Sequence, residues 1–154
     1  MTSISHPNNH MTFHLAETKA KLWAVPVGRF FFSLIFIMSG VNHFSAGTIA
    51  YAAEQGVPMA NILVPLSGLL ALFGGISILL GYFARFGAML LILFLVPVTL
   101  TMHNFWDISD PAIHQMQMIQ FMKNLTILGG VILIAFYGAG PKSIDLKRPR
   151  RNTP

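Results

Sequence analysis

The 154-residue chain contains no cysteine. That absence removes disulfides, thiolate metal sites, iron–sulfur clusters and dithiol relays, so any redox role must draw on a bound cofactor or on a partner. Charge is also scarce: Asp, Glu, Lys and Arg make up 10% of the residues against 54% hydrophobic ones. A soluble domain of this size could not cover its surface with so few charges, whereas a bilayer solvates the apolar excess directly. Acidic residues are the scarcest, five in all, and Glu54, Asp107 and Asp110 show no spacing of a paired acid and base. Hydrolytic chemistry therefore has no support, and no nucleophile motif, phosphate loop or dinucleotide fingerprint is present.

What is abundant is apolar sequence in long runs. Four segments, at about 23–44, 58–82, 86–103 and 118–137, are each near the ~20 residues that span the hydrocarbon core as a helix. The predicted fold class is all-α, an integral membrane four-helix bundle. A polar segment, 1–22, precedes it and a basic one, 141–154, follows. The first run is longer than a signal-peptide core and lacks a small-residue cleavage site, so it is read as retained. His6, His10 and His14 recur every fourth position, but Pro7 and the Asn8-Asn9 pair argue against a helix there, so no metal site is expected. Pro65 and Pro97 interrupt the second and third runs, and Ser67, Ala71 and Gly75, with Gly129-Gly130, are small enough for close helix contacts.

The ten Lys and Arg residues divide unequally about these runs. Lys19, Lys21, Arg29, Arg85, Lys142, Lys147, Arg148, Arg150 and Arg151 fall on one side and only Lys123 on the other. The positive-inside rule then puts both termini in the cytoplasm and the loops 45–57 and 104–117 outside. Arg29 reads as an interface anchor. The basic C-terminal segment has no interleaved aromatics, so it serves as a topology signal and not as a nucleic-acid arm.

That topology collects polar residues at the outer ends of three spans: Asn42 and His43, His103 and Asn104 with Trp106, and Gln120, Lys123 and Asn124. Intramembrane polar groups are costly unless they pair or line a wet cavity. They form the candidate ligand site, a pocket for a polar ring such as a quinone headgroup, with His43 as a proton carrier. No residue is assigned a catalytic role. The alternative is that they cap helix ends and tie them together. Two histidines also raise haem ligation, which ranks below the quinone-like ligand.

The segments GRFFFSLIFIMSGVNHF, GVPMANILVPLSGLLALFGGISILLGYFAR, HNFW, QMQMIQFMKNLTILGG and GPKSID, between Gly28 and Asp145, together resemble the DoxX family of small four-span bacterial membrane proteins. The resemblance implies a multi-pass bundle in the bacterial inner membrane. Some relatives are subunits of a thiosulfate:quinone oxidoreductase and others belong to oxidative-stress complexes, which implies a subunit or accessory of a quinone-linked system, with redox partner subunits or a homo-oligomer. The alternative is a non-enzymatic carrier, lipid-binding or scaffold protein. In one respect the chain departs: relatives often carry a glutamate just before the second-span glycine pair, where this sequence has Ala71-Leu72-Phe73.

Overall fold

Each apolar run becomes one long helix. The computed structural model describes residues 8–147, with side chains from Leu22 onward. Its elements are α1 (Asn8–Asn42), α2 (Ala46–Glu54), α3 (Ala60–Leu80), α4 (Ala84–Met102), a single 3-10 turn (Phe105–Asp107), α5 (Pro111–Tyr137) and α6 (Ile144–Lys147). Four stretches, Leu22–Asn42, Ala60–Leu80, Ala84–Asp107 and Pro111–Tyr137, are long and apolar enough to cross a bilayer. Most of their large apolar side chains face outward, among them Phe31, Phe73, Phe86 and Phe136. Such surface suits lipid, which solvates what water would not.

Three boundaries differ from the sequence reading, each for a local reason. Helix α1 starts at Asn8 and carries His10 and His14 within it. The asparagines occupy the first turn, where they are tolerated, and not the helix interior, where they would compete with the backbone. His6 and the basic residues Arg148, Arg150 and Arg151 lie outside the described residues. Helix α2 arises in the loop expected at 45–57, with Ser45 as N-cap accepting from the Thr48 amide at 3.3 Å. Helix α5 begins at Pro111 instead of 118. Asp110 accepts from the amides of Ala112 and Ile113, both at 2.9 Å, and Pro111 supplies a fixed φ at the first helical position.

The helices pack in the order α1, α3, α4, α5, and α5 is held mainly by α4. Phe36, Ala71, Ile78, Ala88, Leu91, Phe94 and Val131 form the central core. The second-span glycine pair divides its work: Gly74 meets Leu91 and the Gly87 carbonyl of α4, while Gly75 meets Phe36 and Ile37 of α1. Gly130 packs under Phe32, but Gly129 has no neighbour within 4 Å of a Cβ and is no helix contact. The helices continue through Pro26, Pro65 and Pro97.

At the end of the bundle where α3 turns into α4, the segment after α5 folds back as a clasp. Asp145 accepts from the amides of Phe83 (2.8 Å) and Ala84 (2.9 Å), and its own amide donates to the Gly81 carbonyl at 2.8 Å. This carboxylate caps the start of α4, where Phe83 holds a left-handed φ of 48° and offers no side-chain cap. Asp145→Ala is expected to lower stability by about 1 kcal/mol, as for other lost N-caps, and Asp145→Asn to lower it less; thermal unfolding in detergent measures both.

Arg29 belongs to the same clasp and corrects the reading of it as an interface anchor. It is only 7% exposed, and its Nη1 and Nη2 donate to the carbonyls of Ala139 (3.1 Å) and Lys142 (2.9 Å). Both acceptors are backbone carbonyls of the segment after α5, and the charged donor strengthens each bond.

Candidate functional site

The opposite end of the bundle, where α1 and α4 finish and α5 begins, holds two cavities. A cleft of about 1090 Å³ runs between α1, α4 and α5, with Gly47, Thr48 and Tyr51 of α2 at its end. A chamber of about 670 Å³ lies on the other side of α4, among α2, α3 and α4. His43, Thr48, Phe94, Val98 and Met102 line both.

Asn42, His43, His103, Lys123 and Asn124, five of the sequence candidates, line the cleft. His43 sits just past the end of α1, its Nδ1 at 2.6 Å from the Ser39 carbonyl. A carbonyl oxygen only accepts, so in the neutral ring Nδ1 carries the proton and Nε2 keeps the basic lone pair. The ring stands edge-on to Phe94, centroids 5.4 Å apart. His103 is fixed in the same way, Nδ1 at 2.7 Å from Gln117 Oε1. Asn42 donates to Thr48 Oγ1 at 3.1 Å, joining α1 to α2.

Lys123 and Asn124 differ from these because they lie well inside α5, roughly 18 Å along the helix axis from Pro111 at 1.5 Å per residue. Lys123 Nζ donates to Gln120 Oε1 one turn earlier. Asn124 is 8% exposed, and its amide makes no hydrogen bond to any described residue. What stays accessible of this residue faces the cleft, where the amide retains its donor and acceptor capacity.

The remaining candidates lie elsewhere. Gln120 tethers Lys123 but does not line the cleft. Asn104 lines the chamber and donates to Asp107 Oδ2 at 2.9 Å. Trp106 is 53% exposed and packs edge-on against Phe105 and Phe121, an aromatic cluster that joins the 3-10 turn to the third turn of α5. Thr48 and Tyr51 also line the cleft, from helix α2, which hydropathy leaves as a loop; Ser45, an N-cap residue type, is the sequence signal for that helix. Of the positions where relatives often carry glutamate, Ala71 is fully buried in the core and Phe73 faces outward.

Comparison with known proteins supplies an independent line. The DoxX family model matches residues 24–104. The chain is 33% identical over 114 residues to the inner membrane protein YphA of Escherichia coli (strain K12), covering 73% of this chain and 81% of that one. It is 36% identical over 124 residues to the inner membrane protein YqjF of the same organism, covering 79% and 88%. It is also 32% identical over 79 residues to the ER-derived vesicles protein ERV29 of Saccharomyces cerevisiae, 51% of this chain but 25% of that protein. No solved structure matches it.

Proposed function

Because the chain belongs to the DoxX family, we propose that it acts in the bacterial inner membrane as a subunit or accessory of a quinone-linked redox system, holding the ligand's polar ring in the cleft between α1, α4 and α5. The observation that carries this is Asn124, a largely buried residue whose amide meets no described side chain or backbone group and opens on a cleft that also takes Lys123. An ionisable side chain deep in a span is retained where it meets water, a partner or a ligand. A quinone offers two carbonyl acceptors, which Lys123 and the Asn124 amide group can satisfy as donors. The hydroquinone offers hydroxyl protons, for which His43 Nε2 is an acceptor.

The test is purification in mild detergent, extraction of bound small molecules and mass analysis. A quinone is expected with the parent protein, and Lys123→Met is expected to weaken its retention roughly tenfold or more, the worth of a hydrogen bond to a charged group. Asn124→Leu should act in the same direction. Phospholipid in place of quinone would favour the second reading, a lipid-binding or carrier protein, which the largely apolar lining of the chamber supports.

We also propose that both termini face the cytoplasm, on the strength of the charge bias: Arg85, Lys142 and Lys147 lie at the clasp end, and the segments 43–59 and 103–110 at the cleft end carry no Lys or Arg. The cysteine-free chain makes this directly measurable. Glu54→Cys should react with an impermeant maleimide in cells whose outer membrane has been permeabilised, and Leu146→Cys only after lysis. The reverse pattern would invert the topology.

A further inference from the structure

We infer that the chamber beside the cleft is the second half of the same site and takes the hydrocarbon chain of a single-chain amphiphile whose ring lies in the cleft; this rests on the reading of the cleft as a ring site. Adjacency is the first argument. Five residues line both spaces, among them His43 and Phe94, whose rings stand edge to face. A ligand held at His43 thus lies next to the chamber.

The second argument is the contrast in unused polar capacity. Most polar side chains around the chamber are already engaged: Ser67 Oγ donates to the Val64 carbonyl at 2.8 Å, Thr101 Oγ1 to the Pro97 carbonyl at 2.8 Å, and Asn104 to Asp107. Thr48 is bonded to Ser45 and Asn42. Apart from Gln55 and His43 Nε2, what remains is apolar, with Leu63, Val64, Leu70, Leu93 and Pro97 forming the walls. A second polar ring would find few partners there, whereas a chain needs none. The volume, about 670 Å³, falls within the ~300–1,000 Å³ of sites that enclose a drug-sized molecule.

Lipid tails are as apolar as leucine, so a chain gains little hydrophobic free energy by leaving the bilayer for this chamber. Its seat there is set by attachment to the ring and by shape. The deciding measurement therefore reads position, not affinity. In nanodiscs the protein is photolabelled with a benzoquinone whose alkyl chain ends in a diazirine, and crosslinked peptides are mapped by mass spectrometry.

Labelling is expected on the α3 and α4 peptides that carry Leu70 and Leu93, and an excess of chainless benzoquinone should abolish it. Ser67→Phe, and independently Leu70→Trp, should cut that labelling about tenfold by filling the chamber. Chainless benzoquinone should still be retained in equilibrium dialysis, which also reports an intact fold. Competed labelling on outward residues such as Phe31 or Phe136, unchanged by the filling substitutions, would overturn the inference while leaving the ring site standing. Chamber labelling that chainless benzoquinone does not displace would also overturn it, since membrane lipid then fills the space. No competed labelling and no retained benzoquinone would reject the ring site, and the inference with it.

Discussion

Arg29→Ala is expected to destabilise the protein by about 3–5 kcal/mol, because hydrogen bonds to a charged group are worth roughly 1.5–3 kcal/mol each and Arg29 makes two from a nearly fully buried position. The loss strikes the clasp directly. The carbonyls of Ala139 and Lys142 lose their donors, and the segment that brings Asp145 to the start of α4 loses its hold on α1. Unfolding in detergent followed by circular dichroism should show a large fall in Tm, and limited proteolysis should cut between 138 and 147 where the parent resists. Arg29→Lys should recover less than half, since one ammonium does not reproduce the guanidinium fork that reaches two carbonyls. If Arg29 were only a headgroup anchor, the alanine variant would melt within a degree or so of the parent, a shift worth well under about 1 kcal/mol. That outcome would refute the clasp.

Gly68→Ala carries the second large effect, and it links the packing to the site. A Cβ at position 68 would stand 2.7 Å from His43 Cβ and 2.9 Å from the Gly40 carbonyl oxygen. Neither neighbour can rotate away, because one is a backbone atom and the other is a Cβ fixed to it. Helices α1 and α3 must therefore separate, at a cost of about 1–3 kcal/mol. The displacement moves His43, so benzoquinone retention should fall along with Tm. Gly40→Ala meets Leu72 Cγ at 2.6 Å and the Gly68 carbonyl at 2.8 Å and should behave alike. The double variant should cost less than the sum, since both open one contact. Gly129→Ala is the control: nothing lies within 4 Å, and a mid-helix glycine costs about 0.5–1 kcal/mol relative to alanine, so it should be neutral or stabilising. Destabilisation by Gly129→Ala equal to that by Gly68→Ala would mean that close approach at the α1–α3 crossing is not the cause.

The readable and unreadable parts of this protein divide along a physical line. Hydropathy alone determined four spans and the all-helical class, because a bilayer demands about twenty apolar residues with every backbone group paired within the segment. Composition determined the absence of thiol chemistry. The order of the spans put His43 and His103 at one end of the bundle, since even-numbered spans return the chain to the same side; Lys123 and Asn124, read as the start of the fourth span, lie near the middle of α5 because that helix begins at Pro111. Local capping chemistry at Ser45 and Asp110-Pro111 is a weak signal in segments that lack a long apolar run, so hydropathy does not reveal α2 or the first turns of α5.

Only the tertiary structure decided which way those side chains face and what they meet. Arg29 looks like an anchor in one dimension because its partners, Ala139 and Lys142, are backbone carbonyls more than a hundred residues away, and a carbonyl leaves no mark in a sequence. Trp106 and Asn104 stand beside His103 in the chain, yet the turn after α4 carries them out of the cleft, while Thr48 and Tyr51 enter it from a helix that hydropathy did not reveal. Cavities are properties of packed surfaces. The cleft that Asn124 lines lies between α1, α4 and α5, and α1 is seated there by close approach to α3 at Gly40 and Gly68 and by Phe32 against Gly130 of α5.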